Sequence, residues 1–273
     1  MAIKVKQAFE LELPVLPMKC KDNETKKRGK KRKKKDKPYN TAKESSKSTA
    51  DALAIGGYVE ESVVNLIITA RQKIRSVPDI PEYLPGIEKT YLLVNEADVV
   101  RASGQYLVYP VNIHLDALLP GVNLQIFCNS EVAENQQSRF DMRWLICRSG
   151  EPDVTAAILE FKSPYTLHRD EFEGGRFQAG DAEKNMRIAD RKTFGTWFEG
   201  NAIPLSKQVS KYSEFCKDIA IFDWSSLMIF DLHTWEKGQN RPARGAFYKE
   251  AENIGTFRLA LLGFVLRGIS RHL

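Results

Sequence analysis

Asp141, Glu160 and Lys162 are the residues whose types and spacing could do chemistry together. Side chains alternate across a β-strand, so Glu160 and Lys162 share one face while Phe161 points to the other, into a core. Asp141 lies near the start of the preceding strand. In an antiparallel hairpin that position faces the end of the next strand, and Asp141 joins the same face if the register allows. Two carboxylates and one ammonium would then converge. Buried carboxylates repel each other, and a cation is needed to keep both ionised. Oxygen-only ligands suit Mg²⁺ or Mn²⁺. Such an ion could lower the pKa of a bound water and polarise a phosphate. Lys162 could orient or deprotonate the attacking water, or offset charge on the phosphate.

By itself Glu-x-Lys in a strand is a weak signal that arises often by chance. Here Ala156, Ala157, Ile158 and Leu159 precede it, so the motif ends a buried strand. A later segment, Gln208-Val-Ser-Lys-Tyr212, puts an amide and a phenol four residues apart on one helix face, able to bind a phosphate or brace a water. A helix that packs Tyr212 on the sheet and leaves Gln208 exposed is the commoner reading of that pentapeptide alone.

Other chemistries find less support. His114, His168, His233 and His272 have no metal-ligand spacing, and Gly56-Gly57 and Gly174-Gly175 match no phosphate loop. No serine sits in a GxSxG elbow. The four cysteines are scattered, against a zinc knuckle or a secreted disulfide scaffold. Trp197, Trp224 and Trp235 read as core packing before base stacking. Arg169, Arg176, Arg187, Arg191 and Lys192 suit a phosphate grip and a solvated loop equally.

The elements that must position these groups follow from periodicity. Residues 51–77 predict a helix, with Val59, Val63, Leu66, Ile67 and Ala70 on one face. Pro78, Pro81 and Pro85 make an extended connector. A second helical pattern runs from 96 to 118, with Pro110 expected to kink or split it. Strands are expected at 123–128, 140–147 and 155–162, the last two joined by a turn at RSGEPD. Residues 163–200 give no clear pattern. A helix at 205–216, strands at 219–224 and 227–232, and a helix at 254–272 complete the reading. The expected class is α/β (α+β): a central mixed β-sheet flanked by helices.

The net charge of +6 is unevenly spread: residues 19–37 hold twelve Lys/Arg and three Asp/Glu, leaving 29 basic against 32 acidic residues elsewhere. The folded part is thus slightly acidic, not a uniformly basic DNA-coating domain. Residues 1–50 are expected to form a disordered lysine-rich tail, with 51–273 a single domain and 51–90 its N-terminal helical extension. The dense block from Lys26 to Lys37 reads as a nuclear localisation signal for an import receptor, or as a merely solvated tail. No apolar leader follows the first methionine, and the apolar stretch 259–266 is too short to span a membrane, so neither secretion nor a membrane span is expected.

The run Asp141 … Ile158-Leu-Glu-Phe-Lys162 … Gln208-Val-Ser-Lys-Tyr212 resembles the PD-(D/E)XK (restriction-endonuclease-like) nuclease superfamily, closest to its RecB-like branch with a QxxxY element. The resemblance covers roughly residues 90–270. It implies a restriction-endonuclease-like core, metal ligands at Asp141 and Glu160, a catalytic Lys162 and supporting roles for Gln208 and Tyr212. It also implies an acidic residue on the first core helix, best matched by Glu96, with Asp98 second. The chain departs from the pattern at Arg139-Phe140, where the nominal Pro is missing, and lacks a Gly-rich lead to the Asp. The implied function is a Mg²⁺- or Mn²⁺-dependent nuclease acting on nucleic acid, DNA before RNA, in the nucleus. The alternative is a catalytically silent binding or scaffold protein on the same fold.

Overall fold

The computed structural model describes residues 3–19, 52–78, 80–86, 88, 91–118, 124–135, 138–236, 241–250 and 255–273. A one-turn helix α1 (Val5–Ala8) comes first, then β1 (Tyr58–Glu60) and α2 (Val63–Ser76). Next, α3 (Glu96–Ser103) passes through a π-helical turn (Gly104–Val108) into α4 (Tyr109–Leu118). The strands β2 (Gln125–Asn135), β3 (Ser138–Cys147) and β4 (Val154–Phe161) lead to α5 (Arg169–Glu173), β5 (Arg176–Phe177), α6 (Ala182–Ala189) and α7 (Ala202–Tyr212). The chain continues with β6 (Asp218–Phe222), β7 (Leu227–Asp231), β8 (Ala243–Tyr248) and α8 (Phe257–Ser270).

Among the described residues the strands form one eight-stranded mixed sheet, ordered β2-β3-β4-β6-β7-β8-β1-β5. Two antiparallel meanders, β2–β3–β4 and β6–β7–β8, join through the parallel pair β4–β6. Short parallel pairings of β1 with β8 and β5 extend one edge. Every residue of β6 and β7 is buried, because helices cover both faces. Alternation sorts the side chains. Leu159, Phe161, Ala220, Phe222 and Ile229 pack with α2, α3, α4 and α8 on one face. Ile158, Ile219, Ile221, Met228 and Phe230 pack with Phe172 of α5 and with Leu205, Val209 and Tyr212 of α7 on the other. The flanked mixed sheet agrees with the expected class.

Local differences have identifiable causes. The helix expected over 51–77 starts only at Val63, where the Ser62 side chain accepts the Val64 N–H, and Tyr58–Glu60 instead pairs with β8 and β5. Pro110 does not split the 96–118 helix. A proline there lacks the N–H that would meet the Tyr106 carbonyl four residues back. The π-helical turn absorbs the mismatch, and Arg258 Nε donates to that carbonyl at 2.6 Å. Residues 163–200, which gave no pattern, contain α5, β5 and α6, and β8 was not foreseen at all.

The tail expected over 1–50 is corrected at its start. Val5, Phe9, Leu13 and Leu16 are buried in the core, and Lys4 and Met18 make β-bridges to Tyr83 and Leu93. The lysine block from Lys26 to Lys37 lies outside the described residues. Arg258, fully buried, pins the N-terminal segment: its Nη1 donates to the carbonyls of Ala8, Leu11 and Glu12. Arg258→Met should therefore remove the donor that four carbonyls share, two of them, those of Ala8 and Tyr106, in buried residues. We expect a loss of about 3 kcal/mol, read as a lower urea midpoint.

Glycines set the fit of α8. A Cβ on Gly263 would lie 2.1 Å from the Leu66 carbonyl oxygen of α2, and one on Gly268 the same distance from that of Ala156 in β4. Helix α8 thus lies against α2 and the sheet at a distance only glycine permits. Among the described residues no helix is long and apolar enough to cross a membrane.

Candidate metal centre

The β3–β4 ladder ends at the pair Met142–Leu159, just before Asp141 and Glu160 would meet. There the Phe161 N–H donates to Asp141 Oδ2 at 2.7 Å. A carboxylate stands in for the missing backbone acceptor, which fixes where Asp141 points. On the far side of β4, Lys162 N–H donates to Phe222 O of the parallel neighbour β6 at 2.8 Å, so the segment carrying Glu160 and Lys162 is held from both flanks.

Two helices complete the cluster. Glu96 is the first residue of α3, whose N-cap Asn95 and third residue Asp98 form a reciprocal capping box. Asp98 Oδ2 accepts the N–H groups of Val94 and Asn95, so this second candidate is used in the cap, and Glu96 is the one that joins the other acids. Oxygens of Glu96, Asp141 and Glu160 all lie within 4.8 Å of one another. Lys162 Nζ is 2.5 Å from Glu160 Oε1 and 3.4 Å from Glu96 Oε2. From α7, Gln208 Nε2 donates to Glu160 Oε1 at 2.6 Å and to the Tyr212 hydroxyl at 2.7 Å, and that hydroxyl donates to Glu160 Oε2 at 3.1 Å. All six residues singled out in the sequence meet here. Gln208 is buried, not left exposed on a packing helix.

Burial and mutual repulsion govern the electrostatics. Burial, reinforced by the Glu160 charge, pushes the Asp141 carboxyl up to about 7, although Lys162 and the Phe161 N–H oppose this. Glu96 is also raised, by burial first, with Lys162 pulling the other way. Burial favours a neutral Lys162, but Glu160, Glu96 and Asp141 more than reverse that and hold it an ammonium. Tyr212 stays a phenol, raised by burial and then by the Glu160 charge. Three acids thus surround one ammonium. An all-oxygen donor set with excess negative charge fits a hard divalent ion such as Mg²⁺ or Mn²⁺.

A scan against protein-family models finds no match, and searches of curated proteins and solved structures find no significant one. The site's own geometry therefore carries the functional reading.

Two supports went unrecognised in the sequence. Phe140, directly before Asp141, packs edge-on to the Tyr212 ring at 4.8 Å and against Phe215 at 5.3 Å. Its adjacency to Asp141 was the available signal. Asp223, fully buried, accepts the N–H groups of Leu167, Ser225 and Ser226, tying the loop after Lys162 to the β6–β7 turn. Burial raises its carboxyl to about 6 against those bonds.

A second group, Asp218, Asp231 and His233, also has the spacing of a cation site. Guanidinium groups already neutralise it. Arg267 and Arg271 bond Asp218 at 2.7 Å, and Arg271 bonds Asp231 at 2.6 Å. It clamps the end of α8 to β6 and β7.

Proposed function

We propose that this protein is a metal-dependent nuclease that hydrolyses phosphodiester bonds, DNA in preference to RNA, on a restriction-endonuclease-like core. The observation that carries the reading is the meeting of Glu96, Asp141 and Glu160 around Lys162, with Gln208 and Tyr212 bracing Glu160. A structural ion pair needs one acid for one base. Three acids on one lysine, brought together from α3, β3 and β4, are costly unless a divalent ion uses them.

Glu96, Asp141 and Glu160 would hold Mg²⁺ or Mn²⁺. Such an ion supplies Lewis-acid charge where a scissile phosphate gathers negative charge. Lys162, held as an ammonium by its neighbours in the metal-free site, would serve as an electrostatic partner for that phosphate or position the attacking water through an N–H. Gln208 and Tyr212 fix the Glu160 rotamer, which keeps the ligand set preorganised. Tyr212→Phe removes one hydrogen bond to a charged acceptor. We expect cleavage to fall about tenfold, measured at saturating Mg²⁺, with the fold intact.

The Lys19 N–H donates to Leu93 O, three residues before Glu96 in the chain, and the block from Lys26 to Lys37 follows Lys19 in sequence. That attachment suits an arm that draws in nucleic-acid phosphates, alongside nuclear import through the block from Lys26 to Lys37.

The test is a cleavage panel over single-stranded, duplex and branched DNA and over RNA, with Mg²⁺, Mn²⁺ or chelator, run beside Glu160→Ala. Metal-dependent cleavage lost in the variant supports the assignment. If neither metal yields cleavage of any substrate, the protein is a binding module on this fold.

A further inference from the structure

The same six residues carry a second reading, which rests on the metal-binding assignment above. The Lys162 and Glu160 side chains are only 8% and 6% exposed, so solvent ions reach that pair poorly, while Glu96 is half exposed at the mouth of the cluster. Its ammonium touches two of the three carboxylates that would hold a metal, at 2.5 and 3.4 Å. Glu160 is engaged through both oxygens, fully on Oε1 and by one donor on Oε2. Oε1 accepts from Lys162 and Gln208, and Oε2 from Tyr212. A carboxylate oxygen offers two lone pairs, so both pairs on Oε1 are taken while Lys162 stays in place.

We propose that Lys162 is the resident counter-cation of the metal-free site, and that a divalent ion binds by displacing its ammonium from Glu160. One side chain then holds the acids together without metal and is released toward the substrate once metal arrives. Metal occupancy becomes the condition for Lys162 to act. The site's metal affinity is set by competition with a tethered cation, so Lys162 weakens metal binding while serving the reaction.

Calorimetric titration of Mn²⁺ into the full chain tests this, comparing wild type with Lys162→Met and Lys162→Gln. The glutamine variant keeps an N–H donor for Glu160 without the charge, which guards against a methionine variant that fails to fold. Removing a positive charge this close to the ion should tighten Mn²⁺ binding at least about tenfold in both. In wild type, the Lys162 Nζ resonance should shift as diamagnetic Mg²⁺ saturates the site. Unchanged or weaker Mn²⁺ affinity in both variants overturns the displacement reading and leaves the metal site standing. Failure of all three proteins to bind Mn²⁺ removes the metal site itself.

Discussion

Glu160→Gln should reduce metal-dependent cleavage by about 10³-fold or more and leave a folded protein. Glutamine keeps the length and one carbonyl oxygen of glutamate. Lys162 and Gln208 retain their acceptor, and the Tyr212 hydroxyl can turn from donor to acceptor. The bracing from α7 therefore survives. What disappears is the charge that Lys162, Gln208 and Tyr212 all contact. With that charge gone, two acids remain to hold an ion beside a buried ammonium. Single-turnover cleavage with Mg²⁺, beside a thermal melt, separates the two effects. Cleavage within tenfold of wild type, at an unchanged melting temperature, would mean that Glu160 is not a ligand.

Asp141→Asn should stabilise the metal-free protein at neutral pH and weaken it toward metal. The folded Asp141 holds its proton up to about 7, well above the usual carboxylate range of about 4. Between those values the folded state binds more protons than the unfolded one, so stability falls as pH rises from about 4 to 7. A shift of that size corresponds to at most about 4 kcal/mol, with Glu96 raised in the same direction. Asparagine can still accept the Phe161 N–H and has no charge to bury. The variant should therefore be the more stable protein above pH 7, and its own loss between pH 4 and 7 should be smaller. Added Mn²⁺ should reverse the order, because only wild type gains the full ligand set. Denaturant unfolding at pH 5 and pH 8, with and without Mn²⁺, measures this. A variant less stable than wild type at pH 8 without metal would show that the Asp141 charge is already compensated.

The legible part of the site was the part with short-range grammar. Glu160, Phe161 and Lys162 obey strand alternation, and Gln208 and Tyr212 obey helical spacing, so their faces follow from sequence. Asp141 was harder. Whether it joined Glu160 depended on where the β3–β4 ladder stops, and that is set by the Phe161 N–H leaving its backbone partner for a carboxylate. Glu96 came only through family resemblance, since an acid in the first turn of a helix is expected for dipole reasons alone. Phe140 and Asp223 act across the sheet or between loops, and no local pattern marks them. In the fold, the long apolar strands were evident. β8 was missed, and Tyr58–Glu60 was read as helix, because three residues pairing with β8 and β5 have no period of their own. The N-terminal segment was underestimated because its apolar residues are spread among prolines and gain their anchor from Arg258, about 250 positions away.

Anomalous diffraction from crystals grown with Mn²⁺ tests the central claim most directly. The expected result is an anomalous peak bounded by the carboxylates of Glu96, Asp141 and Glu160, with the Lys162 ammonium withdrawn from Glu160. Density for the lysine still seated between Glu160 and Glu96, with no peak among the three acids at saturating Mn²⁺, would contradict it.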